Sequence, residues 1–534
     1  GIRDLVRSRG LGDVYKRQTI TYQDNCFYIT DKSGSKSYQV EAIRVATNVV
    51  DPTGKASDQG FFTPTGGGTR AILGKSDIEG STYNLADREE TMEDLRGEAS
   101  ALAMAMIAKN SGLNFADSVR AVLHKMGRND LVNQANKIYL GGGGKADIRI
   151  AGIEDIDFSQ SSEYIAKALF GAGYLWGKKR AIGSGIDRLA GDRGTTGEYE
   201  GRPLVEYIGE GYLKALKDDG ITDPDKLRQA RAVVTGKRLS EGGLEARKDA
   251  TGLGTWSSYV ACFAKKQGLP ISQAVPHLLG KTMFSRGCGS CANRAIIEAG
   301  RAGMRTVVAD FNFNANLGGI IMAENGFTEE EARTMFDISV SGKQFGGDVC
   351  KWIEAQPAER KLRVLVSIND QPKPMDTLKK LNEAIHDCWQ GKLDCPVPDV
   401  IFDSATQMTM TGDNAQYVPA SAIFIEGGNG VSTPKASEIM DSKKIIRVTG
   451  ILANSGGVYI SWFEWAQEIL GVKFESPMME DAIRELMKTN IEATLDLITV
   501  AQQLDLELTT ERAYYAVAIA RGLADRKAVA KQIS

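Results

Sequence analysis

RGCGSCA, residues 286–292, is the stretch that decides the fold of this 534-residue chain. It follows a short apolar run at residues 281–285 and precedes residues 293–303, whose composition is typical of a helix. A second apolar run, residues 306–309, ends at Asp310. The order strand, glycine turn, helix, strand, acid is that of a unit that binds a dinucleotide. The stretch therefore predicts an α/β unit with a phosphate-binding turn.

Each residue type in this turn suits a part of that task. Gly287 permits a tight turn, and Gly289 lets the backbone approach a pyrophosphate. Ser290 and Cys291, just before the predicted helix, are predicted cofactor contacts, and the first N–H groups of that helix would face the phosphates. Asp310 follows at about the twenty-residue spacing of an acid that binds the adenosine ribose, which favours NAD over NADP. A neighbouring cation could reverse that preference, so NADP is not excluded.

Composition sets the broad class of the chain. Its hydrophobic content of 42% and charged content of 25% are ordinary for a globular protein. A net charge of −3 gives no bulk electrostatic reason to bind nucleic acid or an anionic membrane. We also find no apolar run long enough to span a bilayer. Small-molecule partners are therefore expected.

Cysteine and histidine usage argues against metal or disulfide chemistry. The seven cysteines are scattered, which is typical of a protein of the reducing cytoplasm. Cys288 and Cys291 form a C-x-x-C pair, but it lies inside the glycine turn without a second pair at metal spacing. We interpret these two as small residues packed against a strand. No metal site is predicted.

The length of the chain predicts two or three domains. Residues 1–18 are rich in arginine and lysine but have no apolar segment, and we interpret them as a leader outside the fold. Residues 19–234 form one predicted domain, to be completed by helices in residues 455–534. Residues 235–454 form the predicted dinucleotide-binding domain, with strands that favour a mainly parallel sheet.

Beyond the glycine turn, the chain resembles the glutamate/leucine/phenylalanine/valine dehydrogenase superfamily, and glutamate dehydrogenases most of all. Eight segments carry the resemblance in the same order: residues 67–70, 108–110, 142–145, 190–196, 248–252, 403–407, 425–434 and 451–467. The resemblance implies an α/β fold of two domains around a cleft, one of them Rossmann-like, and commonly a hexamer. It also implies oxidative deamination of an L-amino acid to a 2-oxo acid and ammonia, and the reverse reductive amination.

The resemblance also implies roles for individual residues. Lys145 resembles the catalytic lysine, whose pKa burial beside a second cation would lower, and Asp192 resembles the aspartate that exchanges protons with the amino group. Lys109 resembles the lysine that binds the substrate α-carboxylate. The remaining implied contacts are Gly67, Gly68 and Ser461 for the substrate, and Thr251, Ala405, Thr406 and Asn429 for the cofactor.

Three departures from the family pattern bear on substrate choice and assembly. Gly66 stands where glutamate-specific members have a lysine that holds the side-chain carboxylate, although Ser461, the other contact to that group, is retained. Glutamate is therefore favoured, with an apolar amino acid as the alternative and a non-amino-acid NAD substrate as a more distant one. Insertions at residues 116–139 and 325–393 could be oligomer contacts or lids.

Overall fold

The computed structural model describes residues 198–312, 316–340, 345–405 and 409–533 as long continuous ranges. Before residue 198 it describes shorter ranges: residues 19–23, 26–30, 37–47, 66–73, 109, 115–135, 144–150, 166, 169–171, 173–174, 177–178 and 186–187. The predicted leader, Asp192 and Thr406 lie outside the described residues.

The chain forms two larger sheets and a short β-ribbon. The strands are β1 Thr19–Gln23, β2 Cys26–Thr30, β3 Ser37–Thr47, β4 Gly66–Leu73, β5 Gly144–Ile150, β6 Ile186–Asp187, β7 Glu198–Tyr199, β8 Arg202–Pro203, β9 Thr282–Arg286, β10 Arg305–Asn312, β11 Leu317–Ala323, β12 Leu362–Ile368, β13 Val400–Asp403, β14 Ile423–Glu426 and β15 Ile446–Val448. β1 to β6 form one sheet in chain order, antiparallel through β4 and parallel from β4 to β6. β7 and β8 form the ribbon.

The larger sheet has the order β12-β11-β10-β9-β13-β14-β15. From β11 to β15 this is the strand order 3-2-1-4-5-6 of dinucleotide-binding folds. β10, β9, β13, β14 and β15 are parallel, whereas β11 runs antiparallel to both of its neighbours. The predicted α/β class with a mainly parallel sheet is confirmed.

Helices connect these strands and cover the larger sheet. Those of at least seven residues in the described ranges are Phe115–Lys125, Asn129–Ala135, Leu204–Asp218, Pro224–Ala230, Ala250–Gln267, Ser290–Arg301, Glu329–Val340, Pro374–Trp389, Pro434–Ser442, Ser455–Leu470, Ser476–Gln503 and Thr510–Ile533. Shorter helices are Ile271–Ala274, Cys350–Glu354, Gly412–Ala415 and Gly450–Ala453. Among the residues described, no helix combines the length and apolar content needed to cross a bilayer.

The inserted stretch 325–393 is built into the core of the larger sheet. It supplies the edge strand β12 and the helix Pro374–Trp389, whose buried face includes Leu381, Ile385 and Trp389. These side chains share one apolar cluster with Phe284 of β9 and other strand residues. Part of this stretch thus stabilises the sheet by burying apolar surface, a role we had not predicted for it.

The chain divides into two compact units. The first unit consists of residues 1–245, 461–474 and 522–534, and the second of residues 246–460 and 475–521. The division falls at residue 245 rather than at the predicted residue 234. The helix Ser476–Gln503 also lies with the second unit, where it packs on the helix Ala250–Gln267, whereas we had predicted it as part of the first.

Two carboxylates explain why residues 235–245 lie with the first unit. Glu464 accepts hydrogen bonds from the backbone N–H groups of Gly236 and Lys237 at 2.9 and 3.2 Å, and it pairs with the Lys237 ammonium at 3.0 Å. Glu206 accepts from the backbone N–H of Arg238 at 2.8 Å. Because Glu464 and Lys237 are buried, this part of the chain is held firmly within the first unit.

Candidate functional site

The carboxyl ends of β9 and β13 form the point of the larger sheet at which the strand order reverses. In sheets of this kind, ligands bind outside the carboxyl ends of the strands at such a point. β9 ends at Arg286 and leads directly into the glycine turn, whereas β13 ends at Asp403 and leads into Ser404 and Ala405. The topology therefore places two predicted cofactor segments side by side.

The glycine turn has the backbone that its sequence requires. Gly287 has a φ of +90°, a region that residues with a side chain rarely adopt. A Cβ built on Gly289 would meet no atom within 4 Å, so the backbone is open to a ligand there. The helix begins immediately afterwards at Ser290, earlier than predicted, and the N–H groups of a first helical turn have no acceptors within the helix. The turn can therefore accept a phosphate.

Asp310 does not stand at the end of its strand, where the sequence predicts it. β10 continues past it to Asn312, and its carboxylate contacts the glycine turn itself. Asp310 Oδ2 accepts from the Cys288 backbone N–H at 3.2 Å and from the Cys288 thiol at 2.8 Å, while Oδ1 accepts from the Phe311 N–H at 2.8 Å. Burial raises the pKa of both the Cys288 thiol and the Asp310 carboxyl. The carboxylate thus fastens the turn to β10.

Asn429 lies in a turn that buried polar groups hold in place. The turn begins after Glu426, which accepts from Ser432 Oγ at 2.6 Å, Arg447 Nη1 at 3.1 Å and the Gly450 N–H at 3.1 Å. Burial raises the pKa of Glu426, while Arg447 opposes that change. These bonds fix the path of the turn.

The Asn429 side chain is itself oriented. Asn454 donates one hydrogen bond to Asn429 Oδ1 at 2.9 Å and another to the Gly427 carbonyl at 3.1 Å. Because the Asn429 oxygen accepts this bond, the orientation of its side-chain amide is fixed.

Thr251 is the second residue of the helix Ala250–Gln267 and faces Gly457. A Cβ built on Gly457 would lie 2.3 Å from Thr251 Oγ1, so only a glycine fits there without movement of the threonine. Asp249, just before this helix, accepts from the guanidinium groups of Arg294 and Arg333 at 3.3 and 3.2 Å. The start of the helix is therefore fixed by charge as well as by packing.

The predicted substrate residues lie in the first unit. Gly67 and Gly68 belong to β4 and Lys145 to β5; these strands pair in parallel with Thr69 opposite Ala146. Gly68 and Lys145 each stand one residue before this pair, on two neighbouring strands. Lys109 is only 1% exposed, so it is not the solvated helix-end lysine that its sequence position alone would suggest.

Ser461, the remaining predicted substrate contact in the first unit, is also buried. It lies on the helix Ser455–Leu470, one turn before Glu464. Its burial would suit a hydroxyl that serves one specific polar contact.

Sequence reasoning missed four buried polar residues of the second unit: Arg286, Asp403, Glu426 and Asn454. Three of them are the last residues of the apolar strands β9, β13 and β14. A charged residue at the end of an apolar strand is the sequence signal that could have identified these three. No cluster of three or more His, Cys, Asp or Glu side chains that could hold a metal occurs in the ranges that the structure describes.

A family model and individual relatives all relate this chain to amino acid dehydrogenases. The family model of the glutamate/leucine/phenylalanine/valine dehydrogenases matches residues 242–521. An NAD-specific glutamate dehydrogenase of Staphylococcus aureus (strain COL) is 33% identical over 130 residues, which cover 24% of this chain and 29% of that protein. An NADP-specific glutamate dehydrogenase of Synechocystis sp. is 26% identical over 335 residues, which cover 58% of this chain and 67% of that protein.

Solved structures show the same fold. The structure of Plasmodium falciparum glutamate dehydrogenase 2 matches with a TM-score of 0.59 and 16% identity, covering 98% of this chain and 87% of that one. At this identity the likeness concerns the fold alone. In sequence, the chain spans less than a third of the length of several bacterial relatives that it matches.

Proposed function

Because this chain belongs to the glutamate/leucine/phenylalanine/valine dehydrogenase family, we propose that it catalyses the NAD(P)-dependent oxidative deamination of an L-amino acid and the reverse reductive amination. Glutamate is the favoured substrate, with 2-oxoglutarate and ammonia as products. The observation that carries the proposal is the glycine turn at the reversal point of the larger sheet, with Gly289 open and a helix beginning at Ser290. This arrangement fits a dinucleotide.

The dinucleotide, when bound, supplies the acceptor for the hydride that leaves the substrate Cα. The protein must then bind the α-carboxylate, hold the amino group neutral and activate the water that hydrolyses the imine. We assign the first task to Lys109, the proton exchange at nitrogen to Asp192 and the water activation to Lys145. Lys109 is buried rather than solvated, which suits a lysine that serves a specific contact.

The proposal is tested by following dinucleotide reduction with purified protein. We expect turnover with NAD and L-glutamate, accompanied by one ammonia per reduced nucleotide. L-leucine, L-valine and L-phenylalanine test the alternative substrate class. Turnover of a 2-hydroxy acid without ammonia would instead favour the non-amino-acid alternative, and no turnover with any of these would overturn the proposal.

Gly66 provides a prediction about substrate choice. It is the first residue of β4, and a lysine there would restore the cation that glutamate-specific relatives place before the two glycines. We expect Gly66→Lys to raise kcat/KM for glutamate roughly tenfold, because a charge-assisted bond to the side-chain carboxylate is added. Steady-state kinetics with glutamate and leucine measure the change, and Gly66→Met controls for bulk. An equal response to lysine and methionine would contradict the reasoning.

Asp310 provides a prediction about cofactor choice. Since its carboxylate accepts bonds from Cys288 and Phe311, Asp310→Asn should loosen the glycine turn for NAD and NADP alike. We expect KM to rise for both cofactors while the NAD/NADP ratio of kcat/KM changes by no more than about twofold. Kinetics with each cofactor measure the ratio. A selective gain with NADP would instead identify Asp310 as the acid that binds the ribose.

We also propose a hexameric assembly and a cytoplasmic location. The family resemblance supports the first, and the scattered cysteines support the second. Light scattering coupled to gel filtration measures the mass in solution, and a mass of one subunit would contradict the hexamer.

A further inference from the structure

The two strands at the reversal point end in opposite charges that are buried together. Arg286, the last residue of β9, lies beside Asp403, the last residue of β13. Arg286 Nη1 donates to Asp403 Oδ2 at 2.7 Å, with the two side chains 6% and 0% exposed. A buried ion pair contributes little net stability, because desolvation of both charges offsets their attraction. Its presence calls for another explanation.

Most further side-chain bonds of this pair lead to the segment that follows β13, whereas one, from Arg286 Nη2 to Asn382 Oδ1 at 3.4 Å, leads to the helix Pro374–Trp389. Asp403 Oδ1 accepts from the Ala405 backbone N–H at 3.3 Å, and the Arg286 carbonyl accepts from the Ser404 N–H at 2.9 Å. The Arg286 guanidinium also donates to the Thr409 carbonyl from both terminal nitrogens at 3.4 Å. The pair therefore fixes the backbone on either side of the Ala405 segment.

The same pair sets the distance between this segment and the glycine turn. Gly287 follows Arg286 directly, and a Cβ built on Gly287 would lie 3.2 Å from the Ser404 carbonyl oxygen. The two segments are thus in close contact, and each begins at a member of the ion pair. A shift of either strand end would change the width of the crevice between them.

We propose that Arg286 is a positioning residue for the dinucleotide, which together with Asp403 holds the glycine turn and the Ser404–Ala405 segment at the separation that the cofactor requires. The inference rests on the proposed function in that it names a dinucleotide as the ligand. It adds a residue that does not itself contact the ligand, since the guanidinium is buried beneath the segment that it holds.

The test compares NAD binding with stability in three variants of the full chain. Isothermal titration calorimetry measures the Kd for NAD, and thermal unfolding measures Tm. We expect Arg286→Met to raise the Kd roughly 10- to 100-fold, since hydrogen bonds from a charged group are lost. Arg286→Lys should recover part of the binding because it retains the charge.

The decisive variant is Arg286→Met combined with Asp403→Leu. Removal of both charges abolishes the cost of the unpaired carboxylate, so Tm should return close to the parent value. The Kd should nevertheless stay high, because Ala405 and Thr409 have lost their partners. A purely structural pair would instead regain Tm and Kd together.

A control ion pair lies at the amino ends of the strands, opposite the carboxyl ends that carry Arg286 and Asp403. Arg305, the first residue of β10, pairs with Glu324 at 2.8 Å. Arg305→Met should change Tm without changing the Kd. Unchanged NAD binding in Arg286→Met would overturn this inference and leave the proposed function intact. Failure of the parent protein to bind NAD or NADP would overturn both.

Discussion

Alanine in place of Lys145 will lower kcat for glutamate deamination by roughly 10²- to 10⁴-fold, the range of a lost general acid–base group. Lys145 is the second residue of β5, where it lies opposite Asp187 of β6, and the pairing of β5 with β4 begins at the next residue. A regular strand is a rigid support, so the loss should come from the missing amine rather than from a displaced backbone.

Lys435→Ala is the matched control, because this lysine is exposed on the helix Pro434–Ser442. The measurement is the rate of NAD reduction at saturating glutamate, together with calorimetric NAD binding. We expect NAD binding to persist in Lys145→Ala. Undiminished turnover in that variant would exclude Lys145 as the catalytic lysine and would shift the assignment to another cation.

A pair of glycine variants should separate cofactor binding from folding. Gly289→Ala introduces a Cβ with no protein atom within 4 Å, so its Tm should match the parent value. The methyl group would nevertheless occupy the space that the pyrophosphate of a bound dinucleotide requires. We expect the Kd for NAD to rise by roughly 100-fold or more, because a close backbone approach cannot relax around the added atom.

Gly456→Ala, in contrast to Gly289→Ala, should lower the stability of the protein. Its Cβ would lie 2.3 Å from the Ala250 carbonyl oxygen, a backbone atom at the start of the helix Ala250–Gln267. Relief of this overlap requires separation of the first turns of two packed helices, which costs roughly 3 kcal/mol of unfolding free energy. Denaturant unfolding measures the loss. Equal stability of the two variants would contradict the packing argument.

The larger sheet could be predicted well from the sequence because its strands are apolar runs bounded by turns. Residues 362–368, 400–402 and 422–425 are runs of this kind in the sequence, and they correspond closely to β12, β13 and β14. The glycine turn could be predicted for the same reason, since the spacing of its residues has one efficient structural solution.

Two features could not be read from local patterns. β11 was missed because Gly318 and Gly319 lower the strand propensity of a segment whose burial in the sheet outweighs that loss. The extension of β10 past Asp310 to Asn312 is set by pairing with β11, and the spacing from the glycine turn carries no information on that pairing. Both depend on contacts between distant parts of the chain.

The candidate site was predictable only as far as the family resemblance reached. Asn429 and Thr251 are predicted from motifs, whereas Asn454, which orients Asn429, lies in a motif in which the resemblance implies a role only for Ser461. Arg286 and Asp403 stand in neighbouring strands but far apart in sequence, so their pairing becomes visible only when β9 and β13 are placed side by side. Ion pairs between residues that are far apart in the chain cannot be predicted from local patterns in a single sequence.

The division of the chain into units has a practical consequence for protein engineering. The polypeptide passes from one unit to the other at four places, after residues 245, 460, 474 and 521. No single cut therefore releases a whole unit, and a truncation after residue 474 would strip the helix Ser476–Gln503 from its partner Ala250–Gln267. A self-sufficient nucleotide-binding fragment would need residue 460 rejoined to residue 475 by a designed linker.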